Sequence, residues 1–595
     1  MKEKDIINKI KNPFLYKNDY LEIQSLNTDY ANIKIKNKKI NFKKNIKVLI
    51  SSDYTMSYLT ECLPIFFANK NINVDIEQKE FGSLNFLSKD CKNNFWKKNN
   101  NFFVLIPSSN NLNLPLVNDK IDTIKKKAEQ DAKIWLKLWG SIKKNIVQTT
   151  FEPTIYPNLG EVDATKYGGY LHYIRLVNTL LCEKKPSNVY LIDIENLVFR
   201  NSNANWTDAR MFNLTKQPFS METIPILSHH ISNAISGMLG MSKKVIIADL
   251  DNTIWGGIIG DDGNDNIILG PDNAAGEAFQ NFQIYLKKLT QKGIILCVCS
   301  KNDEKIAKDA FLKNKNMILK LEDITVFKSN YLDKATNIKN ISSILNLALD
   351  SFVFVDDSKF ECEMVKKNLP EVLTINLSDD PSDFIKLVDQ TSAFYFNNVT
   401  KEDISRTSNY KTITKFNNEI KKTKNINEYL KSLKSKVVLE KINKRNNERS
   451  SILLGKTNQF KLNSKLLSSK ELTLKDAFCI FYKDKYQDYG NIGVIIYKII
   501  KNHNLLIENW VLSCRVFSRR LEHFIIKHLL AKALNNKCKY LIFKFEKTKK
   551  NLYLQEFLQI FDIKIKKKTN IYKININQIK LGNLNNYISK IKSNN

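Results

Sequence analysis

Short runs of apolar residues alternate along the chain with stretches in which apolar side chains recur every three to four positions. Between about residues 45 and 240 the runs NIKVLI, NFFVLI and NVYLIDI are continuous and rich in β-branched residues. That is the pattern of strands covered on both faces, and it predicts an α/β layer. From Val245 to about Leu377 the alternation sharpens. VIIADL, IILCVCS, ITVF and SFVFVDD read as strands and helices such as AFQNFQIYLKKLTQ separate them, which predicts a doubly wound parallel sheet. Residues 395–450 are rich in Lys, Asn and Glu with weak helical periodicity, as expected of a helical linker. Beyond them LLIENWVLSC and KYLIFKF flank one helix, in which Leu521, Phe524, Ile525 and Leu529 fall at i, i+3, i+4 and i+8 and pack one face on a sheet.

At roughly 100–200 residues per domain, the chain of 595 residues has room for about three to five domains. The expected division is an N-terminal extension 1–44, an α/β domain 45–240, the doubly wound domain 241–394, the linker 395–450 and an α+β domain 451–595.

A formal charge of +32 points first to a polyanion partner. The makeup of the charge changes that picture: only nine of the 93 basic residues are Arg, and the Lys excess travels with Asn and Ile, whose codons are A/T-rich. A dispersed, solvated Lys surface is therefore expected and nucleic acid is not, since no segment concentrates Arg with interleaved aromatics. The opening MKEKDIINKI has no apolar core of a leader, and no run approaches the ~18 apolar residues that span a bilayer, so a cytoplasmic protein without a membrane partner is expected. The nine cysteines include no Cys-x-x-Cys pair, which argues against a disulfide framework or a cysteine zinc site.

Active groups of a parallel sheet collect at the carboxyl ends of its strands. Four such ends carry Asp249 with Asp251, then Ser300, then Lys334, then Asp356 with Asp357. Any one aspartate there is ordinarily a turn or helix-cap residue, Ser300 alone reads as a cap, and Lys334 alone as one more surface lysine. Their order together says more. Several carboxylates converging from neighbouring strands need a hard cation, and an oxygen-only set suits Mg²⁺.

The motifs DLDNT, SKN at Ser300, Lys334 and VDD at Asp356 resemble the four motifs of the haloacid dehalogenase (HAD) superfamily, and DLDNTIWGGIIGDDG resembles its FkbH-like, or HAD-IIIC, branch. The resemblance implies an uncapped HAD-like sheet in which Asp249 attacks phosphorus to give an aspartyl-phosphate. Asp251 then protonates the leaving group and activates the acceptor. Ser300 and Lys334 would hold the phosphoryl oxygens, and Mg²⁺ would sit on Asp249, the Asp251 backbone carbonyl and Asp356, with Asp357 a possible second acid. Where the family has Asn-Pro and Glu-Arg after the paired acids, this chain has Ser358-Lys359 and Glu361-Cys362. Only 49 positions separate Asp251 from Ser300 and 34 separate Ser300 from Lys334, too few for a cap domain. An open site suits a large or protein-tethered substrate.

A third of the arginines, Arg515, Arg519 and Arg520, fall within six residues before the patterned helix. A helix N-terminus beside Arg is an anion site, although exposed arginines also cap loops. This segment, with KTNQF at Lys456 to Phe460, resembles the C-terminal domain of FkbH-like proteins, similar to the GNAT acetyltransferase fold, whose equivalent turn binds coenzyme A. Ser518 and Arg520 replace the two glycines of that turn. A carrier protein's phosphopantetheine arm is an alternative ligand for Arg515, Ser518, Arg519 and Arg520. Cys514 is a candidate for an acyl thioester, or equally a core-facing strand-end cysteine. His523 and His528 are five positions apart, which denies them the geometry of a metal pair; His528 is expected at the core's edge and His523 on the surface. Residues from about 45, including LISSDYT and WTDAR, resemble the SGNH-like module of the same family. Without a Gly-Asp-Ser order or an Asp-x-x-His block, a binding or scaffolding role is expected there.

The expected enzyme is thus a Mg²⁺-dependent phosphoryl and acyl transfer protein. By resemblance it dephosphorylates a phosphorylated three-carbon donor and loads a glyceryl or related acyl unit onto an acyl carrier protein. A Mg²⁺-dependent phosphatase on another large or tethered substrate is the second reading, and a non-catalytic basic scaffold or nucleic-acid binder the third.

Overall fold

The computed structural model describes residues 3–36, 42–90, 96, 100–153, 157–264, 266–395, 404, 406, 409–412, 419, 425–457, 459–500, 504–548, 551–559, 571–576 and 587–590. Most of 396–424 in the expected linker, and Asn458 of KTNQF, lie outside these. The chain divides into two compact units, Met1–Met238 with Leu467–Glu471, and Leu239–Leu466 with Leu472–Asn595.

In the first unit five strands, β1 (Lys44–Ser52), β2 (Ile72–Gln78), β3 (Phe102–Ile106), β4 (Asn145–Thr149) and β5 (Val189–Ile192), form a parallel sheet of order β2-β1-β3-β4-β5. All five residues of β3 are buried, as its unbroken FFVLI requires. The expected N-terminal extension is two helices, Glu3–Ile10 and Tyr20–Lys36. They pack on the helix Ser57–Asn69, the longer one through a buried stripe of Tyr20, Ile23, Leu26, Tyr30 and Ile33. Strand order reverses between β1 and β3, and beyond the ends of β1, β3 and β4 lies a small cleft lined by Asp53, Asn85, Asn111, Asp131, Trp135 and Phe151.

The second unit holds two sheets. One is parallel throughout: β6 (Val245–Ala248), β7 (Ile295–Ser300), β8 (Ile324–Ser329), β9 (Phe352–Asp356) and β10 (Leu373–Asn376), in the order β10-β9-β6-β7-β8. Its central strand β6 is buried on both faces because helices cover both sides. The chain runs outward from β6 to β8 and returns to β9, so β6 stands where the order reverses, the position at which α/β sheets open a crevice.

The other sheet is mixed. β11 (Lys436–Lys441), β12 (Phe460–Lys461), β13 (Ala477–Lys483), β14 (Asp488–Ile500), β15 (Asn504–Leu512), β16 (Tyr540–Lys544), β17 (Ile571–Asn575) and β18 (Ser589–Lys590) run in the order β17-β16-β15-β14-β13-β11-β18, with β12 beside β15. The pairs β15–β16 and β11–β18 are parallel and the others antiparallel. The helix Leu521–Asn535 buries Leu521, Ile525 and Leu529 as its spacing requires, and adds Ile526, Leu530 and Ala533, while Phe524 is half-buried. The whole is a mixed α/β protein with two parallel sheets.

Candidate active site

Apart from the short flap helix Ile259–Asp262, the α-helices that connect or follow strands β6 to β9 each begin with a side-chain cap. Asn273 accepts from Gly276 N, Asp303 from Lys305 N and Ile306 N, Asp333 from Thr336 N, and Ser358 from Glu361 N. Strands therefore end and helices begin along one edge, and helix N-termini favour anionic ligands there. The four sequence-designated ends converge at this edge.

Asp249, directly after β6, and Lys334, the first residue of the helix Lys334–Leu345, are 7% and 4% exposed, and Asp356 at the end of β9 is fully buried. Lys334 Nζ lies 2.9 Å from Asp249 Oδ2 and pairs also with Asp356 Oδ2. Ser358 N donates to the other Asp356 oxygen at 2.9 Å. Burial works against the Lys334 charge, but the two carboxylates outweigh it and hold the ammonium above its ordinary pKa. Burial, and then the neighbouring Asp249 charge, push Asp356 up to about 7. Asp357 is raised by the same two causes.

Asp249, Asp356 and Asp357 each offer a carboxylate oxygen within 4.8 Å of the others, against a single lysine, and Asp249 Oδ1 is buried without a hydrogen-bond partner. Three acids, one cation and an orphaned buried oxygen fit a hard divalent ion such as Mg²⁺. The side-chain set therefore includes Asp357, which the sequence offered only as a second acid, and leaves out the Asp251 carboxylate.

That carboxylate is turned instead to the flap. Asp251 Oδ1 accepts from Trp255 Nε1 and Ile259 N, each at 3.0 Å, and Oδ2 accepts from Asn302 Nδ2 at 2.8 Å. Asn302 Nδ2 also donates to Ser300 Oγ at 3.1 Å, and Asn302 O accepts from Ser329 Oγ, so Ser300 and Asp251 share one positioning amide. Sequence reasoning missed Trp255 and Asn302. The signal was present in the spacing, one four residues after Asp251 and the other closing SKN. The flap is a short bridge, Gly256 to Ile268, with the helix Ile259–Asp262, and a buried glutamine, Gln283, donates to Ile254 O at 2.9 Å. A Cβ on Gly256 would meet Phe279 at 2.8 Å, and Gly257 has φ +89°, which explains the glycine pair after Trp255. Among the described residues only helices, short turns and this flap lie between Asp251 and Lys334 beside the strands. Of the departures after the paired acids, Ser358 serves as helix cap, Cys362 is buried, and Glu361 takes Lys301 as ion-pair partner at 2.5 Å.

The arginine turn corrects one expectation. Arg519 is buried rather than presented to a ligand: Nε lies 3.1 Å from Asp484 Oδ2, Nη2 donates to Tyr489 Oη at 2.8 Å, and Nη1 donates to Arg515 O and Phe517 O. A guanidinium with five donors can satisfy the turn's carbonyls and the Asp484 carboxylate together. Arg515 is also buried, whereas Ser518 is exposed and Arg520 half-buried. Ser518 and Arg520 have left-handed backbone, at φ +63° and +58°. Cys514 is half-buried with Sγ 3.5 Å from Tyr410 Oη. His528 packs edge-on against Phe478 as expected at a core edge, but His523 is also half-buried, against Phe557 and Glu522, so it is not a surface residue.

In the first unit, Ser52 Oγ donates to Ile106 O at 3.0 Å and Asp53 accepts from Asn85 N and Ser108 N, so LISSDYT supplies no free hydroxyl at Ser52. WTDAR forms a helix start, with Asp208 accepting from Met211 N.

Residues 47–236 match the family described as the FkbH N-terminal domain. The crystal structure of the N-terminal part of protein BF1531 from Bacteroides fragilis, described as containing a phosphatase domain complexed with Mg, is 27% identical at a TM-score of 0.57, covering 64% of this chain and 100% of its own. A domain from Methanocaldococcus jannaschii DSM 2661 (17% identity, 24% of this chain and 99% of its own, TM-score 0.19) and N-acetylglutamate synthase from Neisseria gonorrhoeae with coenzyme A and L-arginine (9%, 83% and 99%, 0.18) are too dissimilar in shape to bear on the fold. No curated protein matches the chain. No described helix is long and apolar enough to cross a membrane. The matched N-terminal domain and the Bacteroides neighbour together support an FkbH-like protein.

Proposed function

We propose that this protein is a Mg²⁺-dependent enzyme of the phosphatase type that dephosphorylates a phosphorylated three-carbon donor and loads a glyceryl or related acyl unit onto an acyl carrier protein. The observation that carries the reading is the Asp249–Lys334–Asp356 cluster, with Asp251 held apart from it by Trp255, Ile259 and Asn302. The two aspartates can then take different roles. Asp249, beside the Lys334 charge, is the nucleophile toward phosphorus. Asp251, oriented by three donors, hands a proton to the leaving oxygen and takes one from the acceptor. Ser300 and Lys334 hold the phosphoryl oxygens. A Mg²⁺ ion held by Asp249, Asp356 and Asp357 would supply positive charge to the transferred group. The phosphatase domain with Mg in the Bacteroides neighbour supports this half of the reading.

Acyl loading exchanges an acyl–phosphate bond for a thioester on the phosphopantetheine thiol and releases phosphate; the phosphate ester is removed at Asp249 with consumption of water. The first unit's parallel sheet is read as the SGNH-like module with a binding role. The mixed sheet and its left-handed turn are read as the GNAT-like module, with Arg520 and Ser518 facing the arm. The test is intact-mass measurement on a panel of carrier proteins after incubation with the enzyme, Mg²⁺ and 1,3-bisphosphoglycerate. A glyceryl mass gain is expected. Phosphate release with no gain on any carrier would assign a phosphatase acting on another large or tethered substrate, and neither outcome would leave the scaffold.

A further inference from the structure

Each connection that brings a side chain to the Asp249 site also holds a large apolar side chain in water. Between Val245 and Leu377 eight large apolar residues are exposed, and six of them sit on the flap or in the connections next to the carboxyl ends of β6, β7, β8 and β9. They are Ile258 and Ile268 in the flap, Ile306 in the first turn after β7, Tyr331 (79% exposed) and Leu332 (54%) before Lys334, and Phe360 (69%) in the first turn after β9. Leu312, at the far end of its helix, is an exception. Scattered apolar residues on a surface need no account, but a set drawn from four connections around one opening does.

Most acids of this rim are engaged internally: Asp262 accepts from Ile258 N at 2.7 Å, Asp303 and Asp333 cap helices, Glu304 pairs with Lys308 and Glu361 with Lys301, while Asp261 is exposed. Lys305 and Lys359, exposed and adjacent in sequence to Ile306 and Phe360, have no carboxylate partner among the described residues. Asp249 lies beneath, almost closed to solvent. A partner that rests on the rim stands directly over Asp249 and can reach it with a narrow arm.

We infer that this rim is the docking surface of the carrier protein, an inference that rests on the acceptor assigned above. An acidic helix with an apolar stripe fits it, the stripe over Ile258, Ile306, Tyr331, Leu332 and Phe360 and the carboxylates toward Lys305 and Lys359. The test is fluorescence anisotropy of labelled carrier proteins bearing their phosphopantetheine arm, titrated with the full chain and Mg²⁺. Tyr331→Asp and Phe360→Asp are expected to weaken binding about tenfold or more each, Leu312→Asp to leave it unchanged, and all three to keep the wild-type melting profile. Binding by no carrier, or undiminished binding by both rim variants, overturns the inference. So does self-association of the chain that the same variants abolish, which gives the rim to a second copy. The two readings fail separately. A carrier that binds the rim but gains no mass removes the loading reaction, and one loaded with unchanged KM by the rim variants removes the docking surface.

Discussion

Lys334 Nζ stands 2.9 Å from Asp249 Oδ2 while pairing with Asp356 Oδ2, so one buried ammonium from the connection after β8 neutralises carboxylates at the ends of two adjacent strands. Lys334→Met leaves those carboxylates buried together without their cation. Removing one partner of a buried pair costs about 3–5 kcal/mol, and losing a charge aimed at the reacting group lowers kcat roughly 10²–10³-fold. Thermal denaturation and phosphate release measure the two effects. Wild-type kcat in a destabilised Lys334→Met protein would show that the lysine serves only the fold.

Asp356 gives the metal-free protein a pH dependence of known sign. In the native state burial and Asp249 keep its proton up to about pH 7, whereas in the unfolded chain it is lost near about pH 4. Between those values the native state binds more protons, so stability falls as pH rises, with a slope of at most about 1.4 kcal/mol per unit from this group. Raised Lys334 acts only at alkaline pH and does not offset it. A cation must displace the Asp356 proton, so stabilisation by Mg²⁺ should grow from pH 5 to 7 and then level off. Melting curves with Mg²⁺ and with chelator across that range check this, and a flat Mg²⁺ response would remove Asp356 from the cation site.

Trp255 Nε1 donates to Asp251 Oδ1 and leaves the acid one of its three anchors. Hydrogen bonds to charged groups are worth about 1.5–3 kcal/mol, so Trp255→Phe should lower kcat by roughly 10- to 100-fold with KM little changed. A shift of KM alone would place the indole in binding rather than in orienting Asp251.

Ser518 and Arg520 hold left-handed backbone without being glycine. Each pays about 1–2 kcal/mol for that conformation, so Ser518→Gly and Arg520→Gly should each stabilise the protein, by about 1 kcal/mol after the entropy that glycine loses on folding. Arg519→Ala has the opposite sign, since Asp484 is left buried without its cation, at about 3–5 kcal/mol. Denaturant midpoints distinguish these directions.

Much of this was legible along the chain. VIIA, ILCVCS, ITVF and FVFVD are unbroken apolar runs, and each is a strand of the parallel sheet. The mixed sheet was less legible. β14 pairs through a bulge, β12 has two residues, and such elements owe their existence to partners far away in sequence. The N-terminal helices escaped notice because Tyr20–Lys36 is polar over most of its surface and is ordered by a narrow stripe against a helix that comes later.

The sequence by itself determined which residues the site would draw on and which strands would carry them, because apolar runs and helix caps are local patterns that a chain displays in order. Only the tertiary structure decided where those side chains point. Asp251 turns to Trp255, Ile259 and Asn302 while Asp357 joins Asp249 and Asp356, and Arg519 turns inward to Asp484. The physical reason is that a carboxylate or guanidinium goes where its donors, acceptors and countercharges are, and those arrive from segments whose approach no local pattern records.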